Sequence, residues 1–426
     1  MADMNPPAAC APTEHPVRRR VVLYLGGFDP QGPARYHAMV EAAAAARPEA
    51  GVTVGPRRRG DAPHASSWTL HWPDGHGGQG ETQYHFLRWD DLVRAQWPRS
   101  RWRLAALTLG TTARMVGNGS LWRILQTSWP AFLALTLPAL SLLAVGLLGL
   151  LWGSGLVALT RALSWGWGAA GLALLGGLIG WLALTGAFTW LQSRVQTDWL
   201  MRSARYILRQ ARGQTPELEA RIDRHAATLA ALAGQEETPR VDEVLVVGHS
   251  SGCMLAVSVV ARALAQWQRA PAQTRPILSL LTLGQCTPVL SYQPEARSFR
   301  EELAQLRACE GLTWVDVSSP VDGCCFALSD PTLVCQDELE APRPHAPGSP
   351  KCLNPRWVQC FSPRRYQALK RDKMACHFQY LQATELPGPC DVLNWVAGPC
   401  SLAAATSALP GVPDYRGLQR FGSPRR

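Results

Sequence analysis

The sequence predicts an α/β protein with a mostly parallel sheet, interrupted by an inserted pair of membrane-spanning helices. Three observations carry this expectation. Short β-branched runs alternate with helix-patterned stretches on both sides of a central block. That block has no charged residue from Ile124 to Thr160, and none again from Ala162 to Ser193. Beyond it, Val244–Gly252 is an apolar run that passes through a tight glycine-flanked turn into an apolar helix pattern.

Taken in order, residues 1–16 are polar and Pro-rich and lack the apolar core of a signal peptide, so a disordered lead is expected. Arg18–Arg20 introduce a strand over Val21–Leu25. It ends in Gly26-Gly27-Phe28-Asp29-Pro30, followed by Gly32. Glycines at the end of an early strand let backbone N–H groups turn toward a developing oxyanion. A helix is expected over 34–46. Residues 51–87 read as short strands around Val52–Val54, Trp68–Trp72 and Tyr84–Leu87, punctuated by Pro-Asp-Gly and Gly-Gly turns. His71 and His85 fall in these strands and read as strand histidines rather than catalytic ones. A short helix from Trp89 closes the region near Pro98.

Residues 131–152 and 168–191 each supply the roughly 20 apolar residues that a bilayer span needs. Only Arg161 charges the link between them, and Trp122, Trp129, Trp152, Trp165, Trp167 and Trp190 mark their edges. Gly176 and Gly180 form a G-x-x-x-G suited to close helix packing. Arginines crowd both outer flanks, from Arg94 to Arg123 and from Arg194 to Arg212, which places both ends of the hairpin in the cytoplasm. Residues 99–123 are expected on the membrane surface, with Trp102, Leu104, Leu107 and Trp122 toward lipid. Thr215-Pro216-Glu217 then starts a helix that Gly234 stops.

Gly248-His249-Ser250-Ser251-Gly252 fits G-x-S-x-G, with a strand before it and the helix pattern Met254–Leu264 after it. That context puts a serine hydroxyl at the top of a sheet as a nucleophile. Strands over Ile277–Leu283 and Leu312–Val317, with a helix over 295–309 between them, extend the parallel sheet. A nucleophilic serine needs a base, and the base an orienting carboxylate. Asp322, in a loop just past the last strand, is favoured over Asp316 inside that strand; Asp330 and Asp337 are weaker candidates. After Ser250 the histidines are His345, in a Pro-rich stretch, and His377, in the apolar Met374–Leu381. His377 is favoured. The expected oxyanion donors are the N–H groups of Phe28 and Ser251.

The Gly248–Gly252 elbow followed by Met254-Leu255-Ala256, with Asp322 and then His377 in chain order, resembles the α/β-hydrolase superfamily, and class 3 lipases in particular. Cys253 stands where that family usually carries another glycine, and the two-span insertion departs from its pattern. The resemblance implies an α/β-hydrolase-like fold and serine-hydrolase chemistry without metal or organic cofactor. It suggests a membrane-anchored bacterial serine hydrolase, esterase- or lipase-like, acting on a lipid or acyl ester or thioester. The alternative is a non-catalytic membrane scaffold that retains the fold.

The chain divides accordingly into a lead (1–16), a first part of the α/β domain (17–98), a membrane-surface segment (99–128), the hairpin (129–193), a helical connector (194–235), the second part of the domain (236–400) and a loose basic tail (401–426). The segment 331–362 is Pro-rich and reads as a lid or a long loop. The net charge of +10 suits anionic membrane lipids as partners, and no basic-aromatic motif or zinc module points to nucleic acid. The expected location is the inner membrane, with both termini and the α/β domain cytoplasmic. The 12 cysteines include no C-x-x-C pair; a disulfide framework is disfavoured if this part faces the cytosol, and most of them are expected as small packing residues.

Overall fold

The computed structural model describes residues 16–59, 65–74, 77–97, 100–162, 167–195, 197–234, 240–271, 275–332 and 350–412. One sheet organises them. Its strands are β1 (Arg19–Leu25), β2 (Thr53–Val54), β3 (Arg58–Arg59), β4 (Ala65–Pro73), β5 (Gln79–Leu87), β6 (Glu243–His249), β7 (Ile277–Leu283), β8 (Leu312–Val317) and β9 (Lys351–Leu353). The spatial order is β2-β4-β5-β1-β6-β7-β8-β9, with β3 also on β4. β1 and β5–β9 are parallel, and β2, β3 and β4 make an antiparallel edge. The protein is therefore α/β with a mixed, mostly parallel sheet.

The strand sequences explain this arrangement. β6 is buried at every residue, as a central strand covered on both faces must be. β4 and β5 bury alternate residues, and His71 and His85 fall at their half-exposed positions, as expected of strand histidines. Alternation also splits the core. Val21, Leu23, Val244, Val246, Leu278 and Leu280 face one set of helices; Val22, Tyr24, Leu245, Val247, Leu281 and Leu283 face the other. The first face is covered by helices Pro216–Ala231, Gly252–Arg269 and Arg297–Arg307. The second packs against helix Pro33–Ala45 and the C-terminal segments.

A buried ion pair ties the amino end of the sheet to the end of the chain. Arg20 donates from Nε to Glu243 at 2.8 Å, and both side chains are fully buried. The same guanidinium donates to the carbonyls of Gly398 and Cys400, while Glu243 also accepts from Ser279 and from the N–H of Leu402. With each guanidinium nitrogen and each carboxylate oxygen hydrogen-bonded, the pair can stand in a dry interior. It also corrects the expected loose tail: residues 401–412 dock, and Leu402 is buried. Residues 413–426 lie outside the described residues.

Other expectations change as well. Leu104 packs inward rather than toward lipid, and Met115, Leu121 and Ile124 join the core, whereas Trp122 is 62% exposed. Helices Arg101–Gly117 and Ser120–Thr127 are amphipathic, and their buried apolar residues belong to the same core cluster as Tyr206 and Ile207. The helix bearing these, Thr197–Ala211, is thus core rather than connector. Lys351–Leu353 form β9, too short and too Pro-flanked to read as a strand; residues 333–349 of the expected lid lie outside the described residues. Among the described residues nine cysteines are free thiols, whereas Cys400 is disulfide-bonded and so is not one of the reduced packing residues expected of most of them.

Among the described residues one helix is long and apolar enough to cross a membrane, Trp129–Ala162, with a mean hydropathy of 2.3 over its most apolar window. Two were expected. The second expected span falls in helix Trp167–Val195, whose described apolar stretch, Ala173–Gly186, is shorter than the roughly 20 residues that a bilayer needs. The two helices pack together through the G-x-x-x-G: Trp152 donates to the Gly176 carbonyl at 2.9 Å and lies where a Gly180 side chain would be. Leu143, Leu147, Leu150, Leu174 and Leu178 are each more than half exposed.

Removing one half of the buried pair strands the other charge, which costs about 3–5 kcal/mol. Arg20→Met is therefore expected to lower the melting temperature by several degrees and to loosen the C-terminal segment to proteolysis. An unchanged melt and cleavage pattern would show that the pair does not hold the sheet.

Candidate functional site

Four loops converge at the carboxyl edge of the parallel strands, the place where sheets of this kind bind ligands. They follow β1, β6, β7 and β8. The turn after β6 is forced into its shape by close packing. A side chain at Gly252 would overlap the carbonyls of Leu25 and Gly26, and one at Gly248 would come within 2.7 Å of the Cys253 Cα. Ser250, between them, holds φ at 58°, a conformation that a serine adopts only under constraint. Its N–H donates to the Leu283 carbonyl at 2.9 Å, which anchors the turn to β7.

The candidate acid lies in the loop after β8. Asp322 is buried, and its Oδ2 accepts from Nδ1 of His377 at 2.8 Å and from the Tyr380 hydroxyl at 3.1 Å. Its Oδ1 accepts the N–H of Cys324. Burial alone would raise this carboxyl; the imidazole and the donated hydrogen bonds outweigh it and hold Asp322 below the usual carboxylate range. Gln285 fixes the far side of the loop through the carbonyls of Phe326 and Ser329. Gly284, at φ 55°, makes room: a side chain there would come within 2.6 Å of the Tyr380 ring.

His377 lies in helix Lys373–Phe378, fully buried, with Trp199 edge-on at 6.0 Å. Because Nδ1–H is committed to Asp322, the lone pair sits on Nε2. That atom is buried and has no hydrogen-bond partner among the described residues. His377 and Ser250 line one pocket together with Cys286, Cys324, Phe326, Trp199 and Ile207. The Ala131, Ala134 and Leu135 side chains, at the start of the long apolar helix, complete its wall.

The loop after β1 lies against the elbow. Strand register sets Leu25 beside Gly248, and a side chain on Gly27 would sit 3.0 Å from the Ser250 Cβ. The Phe28 ring is buried among Trp89, Trp97 and Tyr206, and its carbonyl accepts from the Trp199 indole. Neither the Phe28 nor the Ser251 N–H donates a hydrogen bond among the described residues.

The alternative acid is elsewhere. Asp316 bonds Thr282 and Ser318, and burial raises it to about 7. Asp330 accepts from Thr332. Asp337 and His345 lie outside the described residues.

Two contributors escape the sequence reading. Tyr380 sits one helical turn beyond His377, a spacing that could have drawn notice. His249 sits inside the elbow motif with no role assigned to it. It is fully buried at 5.0 Å from the His377 ring, and burial, with its neighbour His377, lowers its pKa to about 3. Neutral, it donates from Nε2 to the His377 carbonyl at 2.9 Å and so fixes the backbone that carries the His377 imidazole. One donor atom each from Asp322, Cys324 and His377 also lie within 4.8 Å of one another, the one such group among the described residues that could hold a metal.

No protein-family model, curated protein or solved structure matches the chain.

The two buried titratable groups have opposite effects on stability. His249 resists protonation in the fold, so the unfolded chain takes up the proton first and stability falls as pH drops from about 6.5 toward about 3. Asp316 keeps its proton in the fold, so stability falls as pH rises from about 4 through about 7. Melts at pH 5, 6.5 and 8 are expected to show His249→Gln losing less than the parent on acidification. Asp316→Asn is expected to gain on the parent at pH 8. Parallel pH profiles for parent and variants would contradict both assignments.

Proposed function

We propose that the protein is a membrane-anchored serine hydrolase with an α/β-hydrolase-like core, cleaving an ester or thioester of an acyl chain at the cytoplasmic membrane face. The observation that carries this reading is the 2.8 Å hydrogen bond from His377 Nδ1 to a buried Asp322, whose imidazole shares a pocket with Ser250 on a left-handed turn. In this reading Ser250 Oγ attacks the carbonyl carbon and its proton passes to His377 Nε2. The imidazolium, stabilised by Asp322, returns a proton to the leaving oxygen or sulfur. Water then repeats the sequence on the acyl-enzyme and releases the acid. The N–H groups of Phe28 and Ser251 serve the oxyanion.

The membrane part of the proposal rests on the apolar helix Trp129–Ala162 and its packed partner, whose leucines are exposed. The flanking arginines favour cytoplasmic ends and an inner-membrane location in a bacterial cell. The first turns of that helix wall the Ser250 pocket, which favours an apolar acyl group over a polar substrate.

A fluorophosphonate probe is expected to label the intact protein, and Ser250→Ala to abolish labelling while leaving the melt unchanged. Asp322→Asn is expected to slow labelling by about 10³-fold or more, since the wrong imidazole tautomer would face Ser250. A folded protein that never labels would favour a non-catalytic scaffold.

A further inference from the structure

The pocket beside Ser250 collects donor atoms that the hydrolytic reading does not use. Cys324 and Cys286 both line it, and neither has a part in proton transfer. Cys324, His377 and Asp322 each bring one ligand atom within 4.8 Å of the other two. His377 lines this pocket, is fully buried, and has no hydrogen-bond partner for its Nε2 among the described residues. Its other nitrogen is held by Asp322, which fixes the ring and raises its basicity, as an outer carboxylate does for a metal-bound histidine. Tetrahedral zinc, with bonds of about 2.0–2.3 Å, sets its ligands roughly 3.3–3.8 Å apart. Thiolate and imidazole suit zinc, whereas magnesium and calcium demand oxygen shells that this apolar pocket lacks.

We propose that Zn²⁺ binds here through His377 Nε2 and Cys324 Sγ, oriented by Asp322, and switches the site off. Water or the Ser250 hydroxyl fills the remaining positions. Binding displaces the thiol proton of Cys324, so occupancy rises with pH. The metal occupies the lone pair that would take the Ser250 proton, so zinc and acyl transfer exclude each other. The inhibitory consequence rests on the hydrolase reading; the binding itself does not.

The test uses tag-free full-length protein in detergent micelles. Zinc chloride is expected to suppress fluorophosphonate labelling of Ser250, a chelator to restore it, and magnesium chloride to leave it unchanged. In Cys324→Ser the zinc needed to halve that variant's own zinc-free rate is expected to rise about tenfold or more. Labelling indifferent to zinc, or equally sensitive in Cys324→Ser, would overturn the proposal. Protein that does not label even without zinc would count against the hydrolase reading instead. The metal site is then decided by competition with a zinc-chelating dye. One zinc per chain, weakened in Cys324→Ser, supports the site; no zinc, or equal affinity in both, overturns it.

Discussion

The close approach of β1 to the start of the elbow helix is the constraint on which the site depends. Gly252 has no side chain because the carbonyls at the end of β1 occupy that space. The same contact turns the chain sharply enough to give Ser250 its positive φ. Strain of this kind persists only where the surroundings over-determine it. Here the surroundings are a fully buried strand on one side and the fully buried first turns of helix Gly252–Arg269 on the other. The glycine loop after β1 is brought beside Ser250 by this packing, through the register of β1 on β6.

Much of this was legible in the sequence because the local signals agree with the global fold. Ile277–Leu283 and Leu312–Val317 read as strands to the residue, since each is a short, mostly apolar run bounded by turn or loop signals. The elbow was legible because strand, glycine, serine, glycine and helix pattern stand in one unbroken stretch. Asp322 and His377 could be ranked only by chain order and by which stretches looked folded. Their meeting depends on the Gln285 clamp, the Gly284 clearance and the C-terminal helices, all long-range facts. β9 was not legible because three residues carry no period. The inward turn of Leu104 was not legible because amphipathy says that one face is apolar, not whether lipid or protein covers it.

The support around the base is polar yet nearly dry. Tyr380 and the Cys324 N–H satisfy the Asp322 carboxylate, and His249 ties down the His377 carbonyl. Each of these donors must be neutral, or matched, to be buried without cost. Burial raises the Tyr380 hydroxyl well above its ordinary range and lowers His249, so both stay uncharged near neutrality. The result is a carboxylate whose charge is met by hydrogen bonds rather than by water, and an imidazole whose remaining lone pair faces the pocket.

The central claim is that Ser250, His377 and Asp322 act on one acyl group. It is tested most directly by an experimental structure of the protein after reaction with a fluorophosphonate. The account predicts a phosphonyl group on Ser250 Oγ, its oxygen within hydrogen-bond reach of the Phe28 and Ser251 N–H groups, and His377 Nε2 beside the adduct with Nδ1 still on Asp322. An unmodified Ser250, or an adduct with the His377 imidazole turned away from it, would contradict the account.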